Sequence, residues 1–190
     1  MTVTAATSPS FTVFGTGGSG TLAAGTVDPN YTLVGSIAGT TQTGVQTGNI
    51  VVTASNGGFP TPSVWVGDVP NLGSWISPRT TYIISPGTQD AAGKFIYEQK
   101  FSLTGFQPST ASIVGAYAAD SLLIAIYLNG VLVNKGGGAY RALTSFTINS
   151  NFVSGVNTLD FLVNNNTSTG TGPNPTGLFV EIKSTTATPI

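Results

Sequence analysis

The chain has 190 residues, 40% of them hydrophobic and only 7% charged, with a formal net charge of −1. That is ample for one well-cored domain and excludes disorder through lack of a core. The six scattered basic residues exclude the concentrated positive surface that nucleic acid or an anionic membrane requires.

Glycine and proline, 25 and 11 residues, punctuate the chain every few positions and leave no room for a long helix. What recurs is a short β-branched or aromatic run bounded by Gly, Pro, Asn or Ser, the pattern of an all-β, two-sheet antiparallel β-sandwich. In chain order the runs predict strands at Ser10–Phe14, Tyr31–Ile37, Asn49–Ala54, Ser63–Val66, Lys94–Leu103 and Ala111–Tyr117. Further strands are predicted at Leu122–Leu128, Val131–Asn134, Ala139–Ile148, Thr158–Asn164 and Gly177–Lys183. Loops are expected at Gly39–Gly48, Lys135–Gly138 and Asn164–Pro175.

Two of the runs can be oriented. In Lys94–Leu103 the period of two puts Phe95, Tyr97, Gln99, Phe101 and Leu103 on a core face, and Ile96, Glu98, Lys100 and Ser102 on a face largely toward solvent. Leu122–Leu128 is apolar on both faces, as expected of a central or covered strand, and is far too short for a membrane span of about 20 residues. Asn129-Gly130 between two apolar runs predicts a tight hairpin with positive φ at both positions.

The chemistry is mostly exclusion. With no His and no Cys, Ser-His-Asp and Cys-His nucleophiles and zinc sites of imidazole or thiolate are ruled out. Among the acids, Glu98 reads as a surface charge beside Lys100. Asp120 reads as a cap of a turn, and Asp160, on the opposite face from Phe161, as solvent-facing. The glycine-rich Gly15–Gly20 superficially resembles a phosphate loop, but no helix follows it, and it reads as a turn. The expectation is therefore no enzyme and no cofactor.

The second half carries more specific motifs: Ile126-Tyr-Leu-Asn-Gly130, then Gly155-Val-Asn157-Thr-Leu-Asp160-Phe-Leu-Val163, then Asn174-Pro-Thr-Gly-Leu-Phe-Val-Glu181. Upstream stand Gly25-Thr-Val-Asp28-Pro-Asn30-Tyr31 and Trp75-Ile-Ser-Pro78. Together they resemble the galactose-binding-like jelly roll of glycoside hydrolase sugar-binding domains and of secreted bacterial surface proteins, including ones with a PEP-CTERM sorting tail. The resemblance spans about Gly25 to Glu181. It implies a jelly roll over residues 25–184, an N-terminal strand segment over 1–24 and a tail over 185–190. It also implies an extracellular or cell-surface location, although Met1-Thr2-Val3-Thr4 is not a leader and no sorting tail follows Ile190.

Two functions follow as expectations. One is a carbohydrate-binding or adhesive module, its partner a glycan or cell-surface polymer. Its candidate ligand-binding residues are Trp65, Trp75, Tyr140, Arg141, Asn164 and Asn165, which could offer an aromatic face beside hydrogen-bonding groups; both Trp rings could equally fill the core. The other is a self-assembling subunit of a filament, layer or shell, whose partners are copies of itself. There Val3, Phe11, Val13 and Phe14 could exchange as a strand, or form an ordinary first strand of their own domain. Jelly rolls of this type often hold a structural calcium, for which Asp28, Asp68 and Glu181 are the candidate ligands.

Overall fold

Alternation decides the architecture. In β5 (Gly93–Ser102) Phe95, Tyr97 and Phe101 point inward with Leu103 just beyond, while β10 (Val156–Asn165) contributes Leu159, Phe161 and Val163 to the same core. The computed structural model describes residues 10–48, 50–52, 65–67, 69, 71–78, 90–138, 140–167 and 174–190. Over these residues the chain is an all-β sandwich of two sheets.

The remaining strands are β1 (Thr32–Val34), β2 (Val45–Gln46), β3 (Val51–Val52), β4 (Ile76–Ser77), β6 (Ser112–Asp120) and β7 (Leu122–Leu128). They continue with β8 (Val131–Asn134), β9 (Thr144–Ile148) and β11 (Gly177–Thr186). The six-stranded sheet runs β1-β5-β10-β7-β8, with β2 also pairing β5. The five-stranded sheet runs β3-β4-β11-β6-β9. Every pairing is antiparallel except β2 with β5, which is parallel.

Each sheet also carries a small apolar cluster on its outer face. Ile37, Ile96 and Leu162 are buried outside the six-stranded sheet, with Ile124 and Tyr127 against them. The sequence expectation that Ile96 faces solvent is thus corrected: residues around Ile37 fold over that half of the sheet. This cover also accounts for the two apolar faces of β7, which lies between β10 and β8. Outside the five-stranded sheet, Trp65, Trp75, Ala118 and Phe179 form the matching cluster.

The predicted first strand, Ser10–Phe14, is no strand. Its backbone is held by side chains instead: Phe14 N–H donates to Gln99 Oε1 at 2.7 Å, and Gln99 Nε2 donates back to Phe14 O at 2.8 Å. Phe11 and Val13 are buried in the core of the same chain, with Phe11 stacked on Phe101 at 5.4 Å, while Phe14 is 40% exposed. So Phe11 and Val13 pack into the core of the sandwich. Val3 lies outside the described residues.

A left-handed turn follows at Thr16–Gly20. Gly17, Gly18 and Ser19 all have φ near +60°, a conformation that costs most residues but not glycine. The predicted turn is therefore present, and the anion it cradles is internal: Gly17 N–H donates to Asp28 Oδ2 at 2.7 Å.

Candidate functional site

The hairpin predicted at Asn129-Gly130 forms, with φ of +52° and +79°. Past the end of β7, Asn129 keeps the ladder going: its N–H donates to Thr158 O at 2.8 Å, and its Oδ1 accepts from Thr158 N–H at 2.9 Å. Its amide nitrogen reaches Asn157 Oδ1 at 2.8 Å. Asn157 is fully buried and also bonds Val153 and Gly155, so the most telling motif residues serve to lock this corner. A side chain at Gly130 would collide with Ala38 O at 2.2 Å. The loop anchored by Ile37 thus leans on the hairpin tip, and a pocket opens beneath it.

That pocket, about 320 Å³, is lined by Ala38, Glu98, Lys100, Asn129, Gly130, Thr158 and Asp160. Its floor is the outer face of β5 and β10, where Asp160 stands directly across from Glu98. Asp160 was expected to face solvent; it is 2% exposed, because neighbouring strands and the overlying loop close around it. Its Oδ1 is sealed from water and has no hydrogen-bond partner. Burial pushes the Asp160 carboxyl up to about 7, Glu98 adds to the shift and Lys100 opposes it. Lys100 Nζ itself sits 3.1 Å from Glu98 Oε1. A shallower recess of about 280 Å³, lined by Pro29, Asn30, Thr32, Glu98 and Lys100, shares that ion pair.

Glu98, Lys100, Asp160 and Thr158 were not among the candidate binding residues. The available signal was an acid in the outer row of β10, across from another acid. Reading strand alternation alone assigned both to solvent.

The candidates chosen from sequence fall in two other places. Over the five-stranded sheet, Trp65 and Trp75 are 8% and 3% exposed with ring centroids 4.1 Å apart. Trp75 Nε1 donates to Val66 O at 2.8 Å. Tyr140 is half-buried, 5.9 Å from Trp65, and the Arg141 guanidinium lies 5.5 Å above the Tyr140 ring. These rings pack on one another and on Ala118 and Phe179 of the sheet beneath them. Asn164 and Asn165 lie at the end of β10 in the other sheet. Asn165 is buried and donates to the carbonyls of Asp90 and Ala91, while Asn164 bonds Asn166.

The proposed calcium ligands are engaged within the chain. Asp28 is buried; its Oδ2 takes Gly17 N–H and its Oδ1 takes Asn30 N–H at 2.8 Å. Burial raises its carboxyl, and backbone donors pull it back down. Glu181 Oε1 pairs with Lys183 Nζ at 2.9 Å. Asp68 lies outside the described residues, and among those described no group of three acids gathers. No protein-family model matches the chain, and no curated protein matches it in sequence.

Proposed function

We propose that the chain is a non-catalytic extracellular module that binds carbohydrate, with the pocket beneath the Asn129-Gly130 hairpin as its combining site. One observation carries this reading: the buried Asp160 carboxyl, which no group of the chain donates to, lines a recess of about 320 Å³ beside Glu98, Lys100 and Thr158. A sugar hydroxyl is the kind of donor such an acceptor lacks. The non-catalytic part rests on the absence of His and Cys and on the pairing of Glu98 with Lys100. The test is calorimetric titration of the intact chain with a panel of neutral, amino and acidic oligosaccharides. At least one should bind, and Asp160→Ala and Glu98→Gln should each weaken it about tenfold, the worth of one hydrogen bond to a charged group. A panel that never binds, or binding indifferent to both substitutions, overturns the proposal.

A second reading, the self-assembling surface subunit, draws on a separate observation. The edge strand β8 has no charged residue, and its Val131 and Leu132 are each 47% exposed. Sheets usually guard such edges with charge.

A further inference from the structure

The pocket floor has an electrostatic imbalance that limits what can bind there. Glu98 and Asp160 face one another across β5 and β10, and like charges directly opposite on one face repel. One cation, Lys100, is at hand, and it is committed to Glu98 at 3.1 Å. Thr158, not a second cation, lies opposite Lys100. On the other flank, Asp160 faces Tyr127 of β7. The loop that roofs the pocket brings only Ala38. Asp160 therefore has no donor and shares its one nearby cation with Glu98, and burying a carboxylate in that condition is costly.

We infer that the ligand of this pocket carries a protonated primary amine on a hydroxylated ring, an amino sugar unit with its amine free. The inference rests on the carbohydrate reading and narrows it. An ammonium brings three donors, no acceptor and a positive charge; the two carboxylates offer only acceptors. A neutral hydroxyl could donate to Asp160 but would do nothing to hold it ionised beside Glu98. An acylated amine loses the charge, and a uronic acid adds a third negative group. With two carboxylates against one ammonium, the floor favours a cationic ligand over a neutral one and a neutral one over an anionic one. At about 320 Å³ the volume is at the low end of small-molecule sites, about 300–1,000 Å³, and suits one or two rings rather than a long chain. The side groups around the charges, Thr158 and the Gly130 backbone, can engage ring hydroxyls.

The test is calorimetry on the intact chain near neutral pH with four probes: a glucosamine tetramer, an N-acetylglucosamine tetramer, a glucose tetramer and calcium chloride. The glucosamine tetramer should bind at least about tenfold more tightly than either uncharged tetramer, the worth of a charge-assisted hydrogen bond. That preference should vanish in Asp160→Asn and in Glu98→Gln, with both variants shown folded by their melting curves. It should also shrink as salt is raised. If the glucose or N-acetylglucosamine tetramer binds equally well through Asp160, the amine inference fails and the carbohydrate module stands. If no saccharide binds, both fail. Calcium binding that depends on Asp160 overturns the inference in favour of a metal site. A glucosamine preference that survives both substitutions overturns it as diffuse charge attraction.

Discussion

Asp160 and Asp120 are buried carboxyls that the fold holds at about 7, in each case mainly through desolvation, with Asp90 adding to the shift at Asp120. Both sit above their usual value of 3.8, so between about 4 and 7 the folded chain keeps protons that the unfolded chain has released. Stability therefore falls as pH rises through that window and levels off above it. The charged and titratable groups facing Asp160 are Glu98, Lys100 and Tyr127, so Asp160→Asn should remove its share of the slope. We expect the variant to be more stable than the parent at pH 7.5, by about 1–2 kcal/mol, and nearly equal to it at pH 4.5. Urea titrations at both values check this; equal loss at the two would show that the carboxyl is stabilising. None of this was legible in the sequence, because alternation says which face a residue takes and not what lies over that face. Asn129 and Gly130 were legible, since their backbone requirement is local. Asp28 lies between these cases. Its neighbours in sequence gave no sign that Gly17, eleven residues upstream, would donate to it. With both oxygens satisfied by N–H groups, Asp28→Ala should cost about 3 kcal/mol by stranding two donors. A chelator should leave the melting temperature unchanged, and a fall reversed by calcium would contradict this account of Asp28 and Glu181.

At the scale of elements, the strands that came through were those long enough for periodicity to speak. Lys94–Leu103 was expected and Gly93–Ser102 is found; Leu122–Leu128 and Val131–Asn134 match at both ends. The two-residue strands β2 and β4 were missed because two residues carry no period. The predicted Ala139–Ile148 strand starts late, at Thr144, because Tyr140 leaves the ladder to cover Trp65. Residues 10–14 are the instructive failure: their alternation was real, with Phe11 and Val13 buried and Thr12 and Phe14 exposed. Yet the groups that hold them are Gln99, Tyr31 and Thr185 side chains rather than a neighbouring strand. A side-chain clamp leaves no signature in the segment it clamps. Because Phe11 packs against Phe101, Phe106 and Phe152, Phe11→Ala should destabilise the monomer by about 3–5 kcal/mol. Strand exchange between copies predicts something else, a folded monomer of unchanged stability that no longer associates. Denaturation together with sedimentation separates the two.

For the whole molecule, the low charge count has a geometric consequence. With seven acids and six bases in the chain, several are spent in pairs, Glu98 with Lys100 and Glu181 with Lys183, and few remain to guard edges. Among the described residues the six-stranded sheet has edges at β1 and β8, and the five-stranded sheet at β3 and β9. In β9 the exposed positions are Ser145 and Thr147, small and hydrated. In β8 they are Val131 and Leu132, and Leu122 of the adjoining β7 is exposed as well. An edge with free main-chain groups and apolar side chains pairs readily with another of its kind, and any second copy of the chain supplies one. Antiparallel pairing of β8 with its equivalent would join the two six-stranded sheets and set the exposed Val131 and Leu132 side chains of each copy beside the other's edge. The chain should accordingly self-associate as concentration rises. Val131→Lys together with Leu132→Lys should abolish association in sedimentation velocity runs without lowering the melting temperature by more than a few degrees, as exposed positions rarely matter to the fold. A parent chain that stays monomeric at millimolar concentration would sink the edge-pairing account, whatever becomes of the sugar.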